Sequence, residues 1–149
     1  MRALQRSNKQ PFFIPPHIFS KVEWVKGDIL DVVSLSEAME GIDTVIHAAA
    51  KVSFHPKEKA ALYKVNIEGT TNVVNMALEK NVKRFVHVSS VAAIGRTKRD
   101  EMVTEEKKWQ QTNMNTQYAI SKHYAEMEAW RGMGEGMDVV IINPTTILG

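Results

Sequence analysis

Residues 43–90 read DTVIHAAAKVSFHPKEKAALYKVNIEGTTNVVNMALEKNVKRFVHVSS. Asp43 to Ala50 is a short apolar run of the buried-strand type that ends in small residues. Pro56 to Lys80 carries helical spacing through Leu62, Val65, Val73, Val74 and Ala77, with Asn81 after its end. Arg84 to Ser90 is the next strand. Strand, helix and strand in succession form the repeating unit of an α/β domain with a parallel sheet.

The alternation continues on both sides. Arg2 to Leu4 reads as the tail of a strand already under way, and Val22 to Val25 as a second strand stopped at Gly27-Asp28. Lys9 to Ser20 holds three prolines and three phenylalanines and reads as a loop. Asp31 is placed to cap a short helix through Met39, closed by Gly41. Beyond Ser90, the charged stretch Arg96 to Asn115 reads as a surface loop, Thr116 to Gly132 as a helix, and Asp138 to Asn143 as a last strand. The first strand and the stop after Ile147-Leu148-Gly149 lead us to expect that both ends are cut within a longer domain, with Met1 an artificial start.

Composition narrows the function classes. The 149 residues are 44% apolar and 24% charged, which is ordinary for a soluble globular chain. With 19 Lys and Arg against 17 acids, the net charge of +2 gives no whole-chain case for nucleic acid or an anionic membrane. There is no cysteine, which excludes thiol catalysis, disulfides and zinc-thiolate sites. The five histidines lack the close pairing of zinc motifs, so no metal is expected. His47 and His87 lie inside strand-like runs and read as core or strand-end residues. No apolar run is long enough to span a bilayer, and the N-terminus is not a signal peptide, so a cytoplasmic location is expected.

The chemistry centres on Tyr118-Ala119-Ile120-Ser121-Lys122. A phenol and an ammonium stand one helical turn apart on one face. A phenol, with a reference pKa of about 10, is a poor acid or base at neutral pH, and a fixed cation nearby favours the phenolate. Tyr-x-x-x-Lys alone is a weak pattern, equally explained by a Tyr packed under a Lys stem. Ser89-Ser90 at a strand end changes its meaning, because strand C-terminal ends line the ligand crevice of a parallel sheet. A serine hydroxyl there can hydrogen-bond the oxygen that a tyrosine protonates. One of the two serines is expected to serve only the turn.

In order, the chain carries Gly27-Asp28-Ile29, HAAAK (residues 47–51), VNIEGTTNVV (65–74), VSSVAAIG (88–95), YAISK (118–122) and NPTTILG (143–149). This set resembles the extended short-chain dehydrogenase/reductases, within the NAD-dependent epimerase/dehydratase superfamily. It is most similar to their dihydroflavonol-reductase-like and hydroxysteroid-dehydrogenase-like branch. The resemblance implies a Rossmann-like doubly wound parallel sheet, here lacking its first strand and the C-terminal substrate lobe. It also implies roles. Tyr118 would be the catalytic acid/base, Lys122 would tune it and hold the nicotinamide ribose, and Ser90 matches the catalytic serine better than Ser89. Asp28 and Ile29 match positions flanking the adenine. Ala48, Ala49 and Ala50 match the small-residue stretch along the cofactor, and Lys51 a position touching ribose or substrate. Asn66 matches a residue that steadies the active-site backbone, and Pro144 and Thr145 the segment beside the nicotinamide. For Ala48 to Ala50 and Asn66, packing roles fit equally well.

Cofactor preference follows from charge. Where NAD-binding relatives place an acid after the second strand, this chain has Ala3-Leu4-Gln5-Arg6-Ser7, with Arg2 and Arg6 close by. Guanidinium groups suit the extra phosphate, so NADP(H) is favoured over NAD(H). The expected substrate is a small carbonyl compound or alcohol. The rivals are a nucleotide-sugar epimerase or dehydratase, whose extra acid beside the serine is missing at Val91-Ala92, and a non-catalytic dinucleotide-binding scaffold. The resemblance also implies a homodimer of the intact protein.

No Gly-x-x-Gly-x-x-Gly turn occurs in the sequence. Such a turn brings backbone N–H groups to the pyrophosphate. In a sheet of order 3-2-1-4-5-6, loss of the central first strand leaves two unpaired edges. We therefore expect this polypeptide to be inactive and marginally stable, unless the second strand closes directly onto the fourth.

Overall fold

A computed structural model of the chain describes residues 1–7, 13–95, 103–145 and 147. Its elements are β1 (Arg2–Gln5), α1 (Pro16–Phe19), β2 (Glu23–Lys26), α2 (Val32–Ala38), β3 (Thr44–His47), α3 (Lys59–Tyr63), α4 (Gly69–Glu79), β4 (Arg84–Val88), α5 (Val91–Ile94), α6 (Gln117–Gly134) and β5 (Asp138–Ile142). Every strand pair is parallel, as the alternation of strands and helices requires.

The strands form two sheets, β1–β2 and β3–β4–β5. The direct closure of one onto the other does not occur: β1 pairs with β2 and β3 with β4, and β1 and β3 are not partners. What joins the halves is the layer of helices. Ile29, Leu35 and Met39, from the region of α2, share one core with Val73, Val74 and Ala77 of α4, Phe85 of β4 and Ala129 of α6. Leu4 of β1 packs against the same cluster.

Burial alternates along the strands because successive side chains point to opposite faces. Phe85 and His87 of β4 point into the core, and Val45, Val139 and Ile141 pack towards it. The opposite face carries Ile46, Val140 and Ile142, all exposed, so β3 is buried on one face only and is not the fully buried strand its sequence suggests.

Local chemistry sets the helix ends. Asp31 Oδ1 accepts the Val33 N–H, and Thr116 Oγ1 accepts the Ala119 N–H. Within the expected loop 9–20, Pro15-Pro16 starts the single turn α1, since proline suits a first helical position. Residues 9–12 of that loop, and 96–102 of the expected charged loop, lie outside the described residues. From 103 to 115 the chain forms turns, and Trp109 stacks on His123 of α6 with ring centroids 4.1 Å apart.

The helical region 56–80 is not uniform. A 3₁₀ turn (Pro56–Glu58) leads into α3, and a π turn (Lys64–Glu68) separates α3 from α4. Gly69 opens α4 beneath Ile29: a Cβ there would lie 2.5 Å from Ile29 Cδ1. Gly27 is equally constrained, with Leu4 Cδ1 2.6 Å from where its Cβ would be.

Candidate functional site

Parallel pairing places the C-terminal ends of β3, β4 and β5 along one edge. The residues that follow are Ala48 to Lys51, Ser89-Ser90 and Asn143 to Thr145. Ala48, Ala49 and Ala50 are outside the strand and exposed, leaving their backbone open to approach. Thr145 is exposed too, whereas the Pro144 carbonyl accepts the Val91 N–H at 3.0 Å.

Helix α6 crosses behind this edge. Tyr118 lies in its first turn, half-buried, with its ring edge-on to Phe54 at 5.9 Å. Lys122 is one turn on, only 3% exposed, and its Nζ donates to the Val88 carbonyl at 3.0 Å. Desolvation pushes its pKa down to about 8, and the charge of Glu126 opposes the shift. The ammonium is therefore still the main form at neutral pH.

The two serines divide their work. Ser89 is buried, and its hydroxyl donates to Glu126 Oε2 at 2.6 Å. Ser90 is half-buried, and its Oγ accepts the Ala92 N–H at 3.2 Å. That contact leaves the Ser90 hydroxyl proton uncommitted among the described residues, while the Ser89 proton is engaged.

Asn66 ties the edge to α6. Its Oδ1 accepts the Lys51 N–H at 2.7 Å, and its Nδ2 donates to the Lys51 carbonyl and to Ser121 Oγ, both at 2.9 Å. Ser121 Oγ in turn donates to the Tyr118 carbonyl at 2.8 Å. A fully buried amide thus fixes the residue after the alanines and the helix between Tyr118 and Lys122. Its place in the π turn fits, since such turns re-aim side chains and recur at functional sites. Lys51 itself pairs with Glu58 at 3.3 Å.

A second cluster lies beyond β1 and β2. Arg6, Lys26, Gly27, Asp28, Asp31 and Ser34 line a cavity of about 300 Å³. Asp28 Oδ1 accepts the Leu30 N–H at 3.0 Å, which shapes the turn. Ile29 is a core residue that touches Gly69, and its carbonyl accepts from Asn72. Arg2 does not join this cluster. It begins β1, at the opposite end from Arg6, and its Nη1 donates to the carbonyls of Ala38 and Glu40 while Nε pairs with Glu23.

The reading of the sequence did not single out Lys26, Glu126, Ser121 or Asn143. The signals were slight: Lys26 stands next to Gly27-Asp28, Glu126 follows Lys122 by one turn, and Asn143 merely ends a strand. Among the described residues no group of His, Asp and Glu is arranged to hold a metal, and no helix is long and apolar enough to cross a membrane.

The model of the NAD dependent epimerase/dehydratase family matches residues 2–149. A Synechocystis sp. protein of dihydroflavonol 4-reductase designation is 34% identical across all of this chain. The cinnamoyl-CoA reductase 1 of Petunia hybrida is 37% identical over 83% of it. The chain spans 42% and 38% of the lengths of these two relatives. A short-chain dehydrogenase/reductase superfamily protein from Agrobacterium tumefaciens, solved with bound NAD, superposes with a TM-score of 0.78 at 26% identity. That match covers 95% of this chain and 40% of the other.

Proposed function

The chain belongs to the NAD-dependent epimerase/dehydratase family, and on that premise we propose that it carries the acid–base set of an NADP(H)-linked carbonyl reductase. The observation that supports this best is the bond from Lys122 Nζ to the Val88 carbonyl, which ties the helix bearing Tyr118 and Lys122 to the strand that leads into Ser90, with Asn66 bracing the neighbouring strand end against α6.

Bound NADPH would supply the hydride that adds to the carbonyl carbon of the substrate. The remaining work belongs to the protein. Tyr118 passes its hydroxyl proton to the carbonyl oxygen, and the free Ser90 proton hydrogen-bonds the same oxygen and orients it. The Lys122 ammonium offsets the negative charge left on the tyrosine oxygen. In the oxidative direction the same groups act in reverse.

The residues fit the adenosine end of the cofactor. Asp28 and the Asp31–Ser34 turn border the cavity, and Arg6 and Lys26 bring two cations to it. The carboxylates of Asp28 and Asp31 balance these cations in net charge, so the support for NADP(H) over NAD(H) rests on the charge-assisted donors that Arg6 and Lys26 would offer a phosphate there. Ala48 to Ala50 leave room for the rest of the dinucleotide along the strand edge.

The names of the two relatives, a dihydroflavonol reductase and a cinnamoyl-CoA reductase, point to carbonyl groups on aromatic skeletons, so aromatic carbonyl compounds are the first substrates to test, with an aldehyde as the simplest probe. The assay is NADPH consumption by a version extended at its N-terminus with a strand and a Gly-x-x-Gly-x-x-Gly turn. Tyr118→Phe should cut turnover by roughly 10²-fold or more while NADPH binding persists. Turnover unaffected by this change would reject the reading.

A further inference from the structure

Glu126 lies one turn beyond Lys122 on α6, and a single carboxylate oxygen, Oε2, accepts from two strand ends. The Ser89 hydroxyl donates to it from the end of β4 at 2.6 Å, and the Asn143 amide from the end of β5 at 2.8 Å. The same Asn143 Nδ2 donates to the Ser90 carbonyl at 3.1 Å. Lys122 Nζ meanwhile holds the carbonyl of Val88, 3.0 Å away. Two successive turns of α6 therefore grip Val88, Ser89 and, through Asn143, Ser90.

Resting on the Ser–Tyr–Lys reading above, we infer that Glu126 is a positioning residue: its carboxylate fixes Ser90 relative to Tyr118 and Lys122 by clamping the ends of β4 and β5 to their helix. The strand ends are also joined by backbone bonds, Ser89 N–H to the Ile142 carbonyl and Val91 N–H to that of Pro144. Those bonds set β4 against β5, and Lys122 ties α6 to β4 alone. Glu126 supplies the third attachment.

A carboxylate does this better than a neutral side chain because of what it faces. A partly buried charge is costly unless it is paired and hydrogen-bonded. Glu126 has two donors and the field of Lys122. Among the described residues the other titratable groups facing Lys122 are few: the buried imidazoles of His47 on β3 and His87 on β4 feel its field and stay neutral, and Tyr118 lies one turn back on α6. Among the described residues, Glu126 is the acid that raises the Lys122 pKa against desolvation. Geometry and charge thus act together, with the clamp placing Ser90 and the carboxylate keeping the lysine cationic.

Two variants separate these effects. Glu126→Gln keeps an oxygen for both donors and loses the charge, while Glu126→Ala loses both. In the chain labelled at lysine and asparagine, NMR reads the Lys122 titration and the Asn143 side-chain amide. We expect Glu126→Gln to move the Lys122 titration from near 8 to lower pH with the Asn143 signals still protected from exchange. Glu126→Ala should also release the Asn143 amide. In the aldehyde assay, Glu126→Ala should lose roughly 10²-fold in kcat with the KM for NADPH unchanged. Glu126→Gln should recover most of that rate and move the alkaline limb of the pH profile to lower pH. A merely structural residue would move neither the titration nor that limb. If Tyr118→Phe is inactive but Lys122 titrates identically in Glu126→Gln, the inference is overturned by itself. If Tyr118→Phe retains full turnover, the underlying reading falls and the positioning role falls with it.

Discussion

His47 and His87 face each other in register across β3 and β4, with ring centroids 5.4 Å apart, and both are buried. Only one is satisfied. Thr70 Oγ1 lies 2.6 Å from the Asn66 carbonyl, to which it donates its single proton. His47 Nε2, 2.9 Å from Thr70 Oγ1, must therefore carry the proton of that contact. Neither nitrogen of His87 has a hydrogen-bond partner among the described residues. Burial pushes the pKa of His47 down to about 4 and that of His87 to about 3, and the charge of Lys122 adds to both shifts.

These histidines should make the fold acid-sensitive. Their folded pKa values lie below the unfolded value of 6.5, so the unfolded chain binds protons first as pH falls. The stability is fully present above about 6.5 and is lost as pH drops through about 4 and then 3. His47 accounts for on the order of 3 kcal/mol and His87 for on the order of 5 kcal/mol. His87→Phe should flatten the loss between pH 7 and 5 and, by removing two unpaired buried nitrogens, add about 1–3 kcal/mol at pH 7. Urea unfolding at the two pH values tests both points, and an unchanged pH dependence would refute the assignment.

Lys122 predicts a second window at the alkaline end. Its pKa falls from 10.5 in the unfolded chain to about 8 in the folded one, so the folded chain releases its proton first as pH rises. Stability should then increase between pH 8 and 10.5, by on the order of 3 kcal/mol in total. Lys122→Met should abolish that rise and be the more stable protein at pH 7. Parallel unfolding curves for the two proteins across this window would rule out the depressed pKa.

How much of this was legible beforehand depended on the range of the cause. The parallel α/β class followed from strand–helix alternation, and the caps Asp31 and Thr116 from local rules that need only adjacent residues. The placement of Tyr118 and Lys122 one turn apart on a helix was legible because helical geometry fixes their spacing. Glu126, Asn143 and Ser121 were not, because their partners lie 37, 17 and 55 residues away and only the packed sheet brings them together. The π turn around Asn66 was equally hidden, since its side-chain spacing mimics an ordinary helix. Arg2 shows the same limit. Its closeness to Arg6 in sequence suggested a shared site, but a strand separates them in space.

Ser89 and Ser90 should respond differently to loss of a hydroxyl. Ser90→Ala removes the proton assigned to orient the substrate oxygen, so kcat for aldehyde reduction should fall by roughly 10²-fold with stability lowered by about 1 kcal/mol through the lost cap of α5. Ser89→Ala leaves Glu126 short of one donor and should cost about 1.5–3 kcal/mol of stability. Steady-state kinetics and thermal unfolding of both variants decide the matter. A larger kinetic loss in Ser89→Ala would reverse the assignment of the pair.

Gly69 tests the packing that joins the two halves of the core. A methyl group at this position would meet Ile29 Cδ1 at 2.5 Å and Cγ1 at 2.9 Å, well inside contact distance. Ile29 cannot easily retreat, because its neighbour Leu35 is buried in the same cluster. Gly69→Ala should therefore destabilise by about 1–3 kcal/mol despite the better helix propensity of alanine. Ile29→Val in the same chain removes Cδ1 and should restore part of the loss. Strict additivity of the two changes would show that they do not touch.

Arg6 and Arg2 provide the last contrast, because charge alone cannot distinguish them and geometry does. Arg6 lines the cavity with Lys26, whereas the guanidinium of Arg2 is engaged by two carbonyls and Glu23. If the cavity holds the extra phosphate of NADP(H), a charge-assisted contact from Arg6 is worth about 1.5–3 kcal/mol. Arg6→Ala should then weaken NADPH roughly 10- to 100-fold relative to NADH, with Lys26→Ala acting in the same direction. Arg2→Ala should lower the unfolding temperature and leave the NADPH-to-NADH ratio unchanged. Thermal unfolding with each nucleotide in the N-terminally extended version reads both quantities. A ratio that moves with Arg2 and not with Arg6 would place the phosphate elsewhere.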